Sequence, residues 1–301
     1  MIINNKGKVA ENFYVLGASE MPIYLLDGEK PALFEASLSV LGPVLVEEIR
    51  RILGNHPPEM LFLTHVHFDH CGSAAYLKKA FPKLKIAASR KAAEILTRPN
   101  ALSLMALLNQ SAAEVIKSWH PEITGTAVFE PFQLDRVLAD GDRIELGPGS
   151  TVEVIAAPGH TWDSLSYYLP ERKILIASEA AGCVDNTGEV VTEFLADYQA
   201  YVDTIHRLSR LDVDIFCQGH RLVYTGTDVP SFFERSLEAA AIFRETVEKI
   251  LLEEGGDISR TVARIKAQEY DPLPHPKQPE PAYLINLEAR VKHLALKMNE
   301  G

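Results

Sequence analysis

Apolar positions along this chain follow two rhythms. Short apolar runs recur at Phe13-Tyr14-Val15-Leu16, Ile23-Tyr24-Leu25-Leu26, Ala32-Leu33-Phe34 and Met60-Leu61-Phe62-Leu63. They recur again at Val152-Glu153-Val154-Ile155, Ile174-Leu175-Ile176-Ala177 and Ile215-Phe216-Cys217. Runs of this length, rich in β-branched and aromatic residues, predict buried strands. Asp27-Gly28 between two of them is a hairpin signal. Elsewhere the apolar spacing is three to four, as in Val44, Leu45, Ile49, Ile52 and Leu53, or Tyr201, Ile205, Leu208 and Leu211. That spacing predicts helices with one buried face. Strands interleaved with helices make an α/β protein.

The polar residues that close these strands carry the chemistry. After Met60-Leu61-Phe62-Leu63 the chain reads Thr64-His65-Val66-His67-Phe68-Asp69-His70-Cys71-Gly72, and Ser73 to Lys79 then reads as a helix start. Imidazoles and carboxylates cost free energy to bury unless paired or coordinated, and they are ligands suited to Zn, Fe and Mn. In an extended segment His65 and His67 point the same way. Asp69 and His70 follow as the chain turns, toward a second position, so the pattern fits two adjacent metals better than one closed structural site. Three later strands each end in one more donor: Pro158-Gly159-His160-Thr161, Ser178-Glu179 and Gly219-His220. In open α/β sheets ligands gather at such carboxyl ends.

With these motifs in this order, the chain resembles the metallo-β-lactamase superfamily over about its first 225 residues. The resemblance implies an αββα sandwich of two similar halves. It implies His65, His67 and His160 on one metal, Asp69, His70 and His220 on the other, and an acidic bridge at Glu179. The family has Gly-Asp at that bridging position, and this chain has Ser178-Glu179. The longer side chain must fold back, although a carboxylate can still bridge. Asp185, six residues on, would need a different loop path. Two divalent cations, zinc first with iron or manganese as alternatives, would share a bridging hydroxide as nucleophile. By the same resemblance Asp69 moves a proton to the leaving group. Asp163 is a candidate partner for a ligand imidazole, with a surface role as the alternative. Cys71, Cys183 and Cys217 lack Cys-x-x-Cys spacing and read as packing residues.

Residues 1–229 are expected to form the catalytic domain and 230–301 a helical C-terminal extension. A helical insertion spans about 91–124, broken at Pro99-Asn100, and reads either as a substrate-covering lid or as core or dimer packing. Tyr198 and Tyr201 read as core residues before substrate-orienting phenols. In the extension, Ser231-Phe232-Phe233-Glu234 looks like a capping box. A first helix runs to Gly255-Gly256, a second covers 258–269, and a stiff proline-rich linker spans 271–281. The last helix has a stripe of Leu284, Leu287, Val291, Leu294 and Met298. Such an extension could cover the active-site mouth or build a homodimer.

Composition narrows the partners. With 41 Asp and Glu against 30 Lys and Arg, the formal charge is −11, which disfavours nucleic acid. No apolar run approaches a membrane span, and the N-terminus lacks the apolar core of an export signal, so a cytoplasmic protein with a small-molecule substrate is expected. The expected function is hydrolysis of a small ester-like compound, a lactone or thioester. The alternative is an iron-dependent oxidoreductase of the same fold acting on a thiol compound. A flavin-coupled diiron enzyme fits less well, since position 67 is His rather than Glu and the C-terminal 70 residues leave no room for a flavin domain.

Overall fold

Side-chain alternation along the strands decides which layer each residue enters. In the computed structural model, which describes residues 2, 3, 6–221, 223–275 and 277–300, the described strands form two seven-stranded sheets and a small hairpin. The first sheet runs Gly7–Ala10, Phe13–Ala18, Met21–Leu26, Ala32–Phe34, Met60–Phe62, Lys85–Ser89, Arg136–Leu138. Its first three joins are antiparallel and its last three parallel. The second runs Ile2–Ile3, Val223–Thr225, Ile215–Gln218, Ile174–Ser178, Leu165–Leu169, Thr151–Ala156, Arg143–Glu145. There Ile174–Ser178 and Ile215–Gln218 pair in parallel. Parallel joins need crossovers, which Gly42–Leu53, Ala74–Ala80 and Tyr198–Leu208 supply as helices.

Phe13, Tyr24, Phe34 and Phe62 of the first sheet meet Val152, Tyr167, Ile176 and Cys217 of the second in one shared core. Their neighbours Leu25, Leu33 and Leu61 point the other way, into the first helical layer. Leu175, Ala177 and Phe216 point into the second helical layer. Strands buried on both faces read as unbroken apolar runs, which is why they were visible in the sequence. The result is the expected αββα sandwich.

The insertion forms two helices, Arg90–Ile95 and Pro99–Trp119, with Pro99 in the first turn of the longer one. Met105, Ala112, Ala113 and Ile116 of that helix join the first helical core. In the C-terminal part, helices Asp228–Glu253, Ile258–Ile265 and Glu280–Glu300 share one apolar cluster with the second sheet. The stripe of Leu287, Val291 and Leu294 is buried there. One expectation is corrected: Ser231 caps nothing. The helix begins three residues earlier, at Asp228, with no side-chain cap at Thr227. Pro230 is tolerated in the first turn, where its missing N–H has no partner to lose, and Val229 is buried against the second sheet.

Two phenols tie the sheets together beneath the ligand-bearing strand ends. Tyr24 Oη donates to the Gln218 carbonyl at 2.6 Å, and Tyr167 Oη to the Leu63 carbonyl at 2.6 Å. Both rings are fully buried, which pushes both phenols up and keeps them protonated donors. Tyr167→Phe leaves a buried carbonyl without its donor, so it is expected to cost about 1–3 kcal/mol. The readout is a lower urea midpoint at unchanged slope; an unchanged midpoint would show that the tie contributes nothing.

Candidate metal centre

Four strand ends converge at one edge of the sandwich. Met60–Phe62 delivers the turn in which His65 is buried, His67 is extended, and Asp69 and His70 lie on the short helix Phe68–Cys71. Thr151–Ala156 leads to His160, Ile174–Ser178 to Glu179, and Ile215–Gln218 to His220. Every residue singled out as a donor is brought here. Ligand atoms of His65, His67 and His160 lie within 4.8 Å of one another, and so do those of Asp69, His70 and His220. Glu179 falls with His65 and His70 in an overlapping group.

Distances place Glu179 between the two sets. Its Oε1 is 2.9 Å from His70 Nε2 and 2.8 Å from His220 Nε2, and its Oε2 is 3.8 Å from His65 Nε2. Asp69 Oδ2 stands 3.9 Å from His70 Nε2 and 3.8 Å from His220 Nε2. His160 Nε2 is 3.3 Å from His67 Nδ1. The longer glutamate is accommodated locally. Ser178 takes a left-handed backbone, φ 52°, and its hydroxyl donates to Glu179 Oε2 at 2.5 Å. Gly219 has no side chain to obstruct the carboxylate; a Cβ there would overlap it. Gly159, φ 126°, lets the His160 loop lie against the Tyr201 backbone.

The far nitrogens of the rings are held by the protein. His160 Nδ1 pairs with the Glu193 carbonyl at 2.6 Å and His220 Nδ1 with the Glu20 carbonyl at 2.7 Å. A carbonyl can only accept, so both Nδ1 atoms carry a proton and both Nε2 atoms face the cluster. His65 Nδ1 is 3.0 Å from Thr64 Oγ1.

Sequence reasoning missed Glu35. It is buried, takes a left-handed φ of 70°, and places Oε2 3.3 Å from His70 Nδ1 while Oε1 accepts from Thr64 N at 3.2 Å. The signal was present: Glu35 follows the apolar run Ala32-Leu33-Phe34 as the other donors follow theirs. Asp163 takes a different role from the one expected. Its Oδ2 accepts from Val66 N at 2.9 Å, so it braces the ligand turn through the backbone and orients no imidazole. Asp185 is occupied with its own turn, accepting from Thr187 N at 2.8 Å.

Burial and charge sort the titratable groups. Burial, helped by neighbouring imidazoles, pushes His65 well down and His160 down to about 3, so both are neutral. Burial also opposes charge on His70 and Glu179, but their mutual attraction wins. His70 is held well above, and Glu179 well below, its ordinary range. Desolvation likewise opposes charge on His220, and Glu179 overcomes it and raises that imidazole. Glu35 is raised by burial.

This donor set fits divalent cations. His65 Nε2 is buried without a hydrogen-bond partner, which is uncommon for a polar atom and marks a place where another group belongs. Cations would also replace the imidazolium protons that balance Glu179.

A cavity of about 310 Å³ opens on His67, Asp69, His160, Glu179 and His220. The insertion helix borders it with Leu104, Leu108 and Trp119. The same helix ties to the ligand turn, since buried Asn109 donates to the Phe68 carbonyl at 3.0 Å. The proline-rich segment and the last helix line the cavity as well. Tyr201 is buried, and Tyr198 packs on Phe194 with centroids 5.1 Å apart. Both are packing residues outside the cavity lining. Cys71 and Cys217 are fully buried, whereas Cys183 reaches the cavity wall.

Comparison with known proteins follows the same lines. The family model described as the metallo-beta-lactamase superfamily matches residues 22–220. A hydroxyacylglutathione hydrolase of Yersinia enterocolitica is 22% identical over 200 residues, 65% of this chain and 61% of that protein. A diflavin flavoprotein of Synechocystis is 22% identical over 187 residues, 60% of this chain but only 28% of that protein. Thus the chain spans about a quarter of the length of that flavoprotein. A solved metallo-beta-lactamase family protein from Thermus thermophilus superposes with a TM-score of 0.68 at 18% identity, covering 98% of this chain and 95% of its own. Members of this superfamily are mostly metal-dependent hydrolases, and the fold implies divalent metal binding. Two matched sheets, seven converged donors and a family match across two thirds of the sequence lead to one conclusion: this chain belongs to the metallo-beta-lactamase superfamily.

Proposed function

We propose that the chain is a dinuclear metal-dependent hydrolase of a small ester-like compound, a lactone or thioester. The observation that carries this reading is the pair of three-donor groups with Glu179 between them, set at the floor of a substrate-sized cavity. His65, His67 and His160 would hold one cation and Asp69, His70 and His220 the other, with Glu179 spanning both. Zinc is the first candidate, with iron or manganese next. Such cations supply an acidified water and polarise the acyl oxygen. Hydroxyacylglutathione hydrolase among the relatives supports the thioester class.

The side chains would divide the remaining work. Asp69 is partly open to the cavity, 15% exposed, and stands beside both His70 and His220. There it can take a proton from the attacking water and pass it to the leaving group. Glu35 and the Glu20 and Glu193 carbonyls hold the rings in place. Burial pushes the Cys183 thiol well up, so it is no thiolate nucleophile. Iron-dependent oxidation of a thiol compound is the second reading, favoured by Glu179 in place of aspartate at the bridge. The presence of Asp69, His70 and His220 together favours the first.

Metal analysis of protein purified without chelator is expected to give about two divalent ions per chain. One iron per chain would favour the oxidoreductase, and oxygen uptake with thiols would then be the assay. Asp69→Ala should abolish hydrolysis in a panel of lactones and thioesters while the far-ultraviolet circular dichroism stays the same; unchanged turnover would sink the proton-transfer role. Glu35→Gln should lower metal affinity about 10–100-fold, measured by competition with a chromophoric chelator. Wild-type affinity in that variant would mean that Glu35 only fills space.

A further inference from the structure

Much of the cavity wall comes from outside the two sheets. Leu104 and Leu108 of the insertion helix and Leu273, Tyr283 and Ile285 of the C-terminal part line the same cavity as the donor residues. Leu104 and Ile285 are each 47% exposed. Large apolar side chains left in water singly are ordinary, but these share one cavity that ends on the donors, and such clustering marks a binding site. The segment that completes the wall is latched to itself. Tyr270 Oη donates to the Gln278 carbonyl at 2.7 Å, and Lys277 Nζ donates to the Tyr270 carbonyl at 2.8 Å. The Tyr270 ring stacks on Tyr283 with centroids 4.2 Å apart and carries the Lys277 ammonium at 4.1 Å. Asn186, at the tip of the hairpin Cys183–Val184 and Val190–Val191, donates to the Pro274 carbonyl at 2.7 Å. The proline-rich segment is therefore held as a wall and does not act as a bare linker.

We propose that this wall is an acyl-chain subsite. The substrate carries an uncharged apolar chain that lies against Leu104, Leu108, Tyr283 and Ile285. Its ester or thioester carbonyl then rests over the donor cluster. The chemistry at that carbonyl rests on the hydrolase reading: water adds its hydroxyl to the acyl carbon and its other proton to the departing oxygen or sulfur. Binding of the chain does not rest on that reading. Tyr270 is a positioning residue, since it shapes the wall through Gln278, Lys277 and Tyr283.

Two series on the full-length, metal-loaded chain test this separately. Affinities of 1-butanol, 1-hexanol and 1-octanol, measured by calorimetry, should tighten about fourfold per added methylene until the cavity is filled. The kcat/KM for p-nitrophenyl butanoate, hexanoate and octanoate should rise with the same slope. Leu104→Asp and Ile285→Asp, at sites exposed enough to tolerate the change, should flatten both slopes. Tyr270→Phe, which removes only the hydroxyl, should raise KM for octanoate several-fold more than for butanoate, with kcat little changed. A slope in the alcohols without turnover of any ester would keep the subsite and remove the hydrolase reading. Turnover independent of chain length, or slopes that survive both Asp variants, would overturn the subsite and leave the hydrolase standing.

Discussion

Glu179 is a carboxylate with 4% exposure, set 2.9 Å from one imidazole and 2.8 Å from another. A buried charge of this kind persists only where opposite charge and hydrogen bonds compensate its desolvation, and the surrounding structure serves that end. Gly219 leaves space beside it, Ser178 adopts a left-handed backbone to reach it, and His70 and His220 are held against it from two different strand ends. The donor cluster is one electrostatic unit, so its members cannot be placed independently.

That unit needs a stiff frame, and the inter-sheet core provides it. Phe34 stacks on Phe62 with centroids 5.2 Å apart, and the Tyr167 ring tilts against both. The same aromatic layer ends in the two phenols that bond to Leu63 and Gln218, each close in sequence to a donor. Packing energy and ligand position are thus linked through the same side chains. Loops carry the donors, but each loop is short and braced: Asp163 holds the turn of His65 and His67, and Thr204 holds the Pro158 carbonyl at 2.7 Å.

The last helix reaches the centre by a less direct route. Arg290, almost fully buried, donates to the Thr192 carbonyl at 2.7 Å, and Asn286 donates to Glu193 Oε2 at 3.3 Å. Glu193 in turn supplies the carbonyl that orients His160. Burial, opposed in part by Arg290, raises the Glu193 carboxyl to about 7. The last helix therefore does more than cover apolar surface, since it fixes the segment that sets one imidazole's tautomer.

Much of this was legible in the sequence because periodicity and ligand chemistry are local. Unbroken apolar runs such as Leu61 to Leu63 and Ile174 to Ala177 marked strands buried on both faces, and the residues that closed them marked the donors. Glu35 escaped because its strand-end position, though shared with the donors, does not by itself separate a glutamate at the surface from one folded against His70. Ser231 misled for a related reason: a capping pattern is short, and burial of Val229 and Phe232 outweighed it. Whether the insertion and the proline-rich segment would meet across one cavity depended on contacts between residues more than 150 apart. The sequence by itself determined the strands, the helices and the donor set, through side-chain period and residue type, and the resemblance carried by those motifs implied the layers. The tertiary structure alone decided which imidazole faces which carboxylate, what orients each ring, and which side chains wall the cavity, because those relations exist only once distant strand ends are brought together.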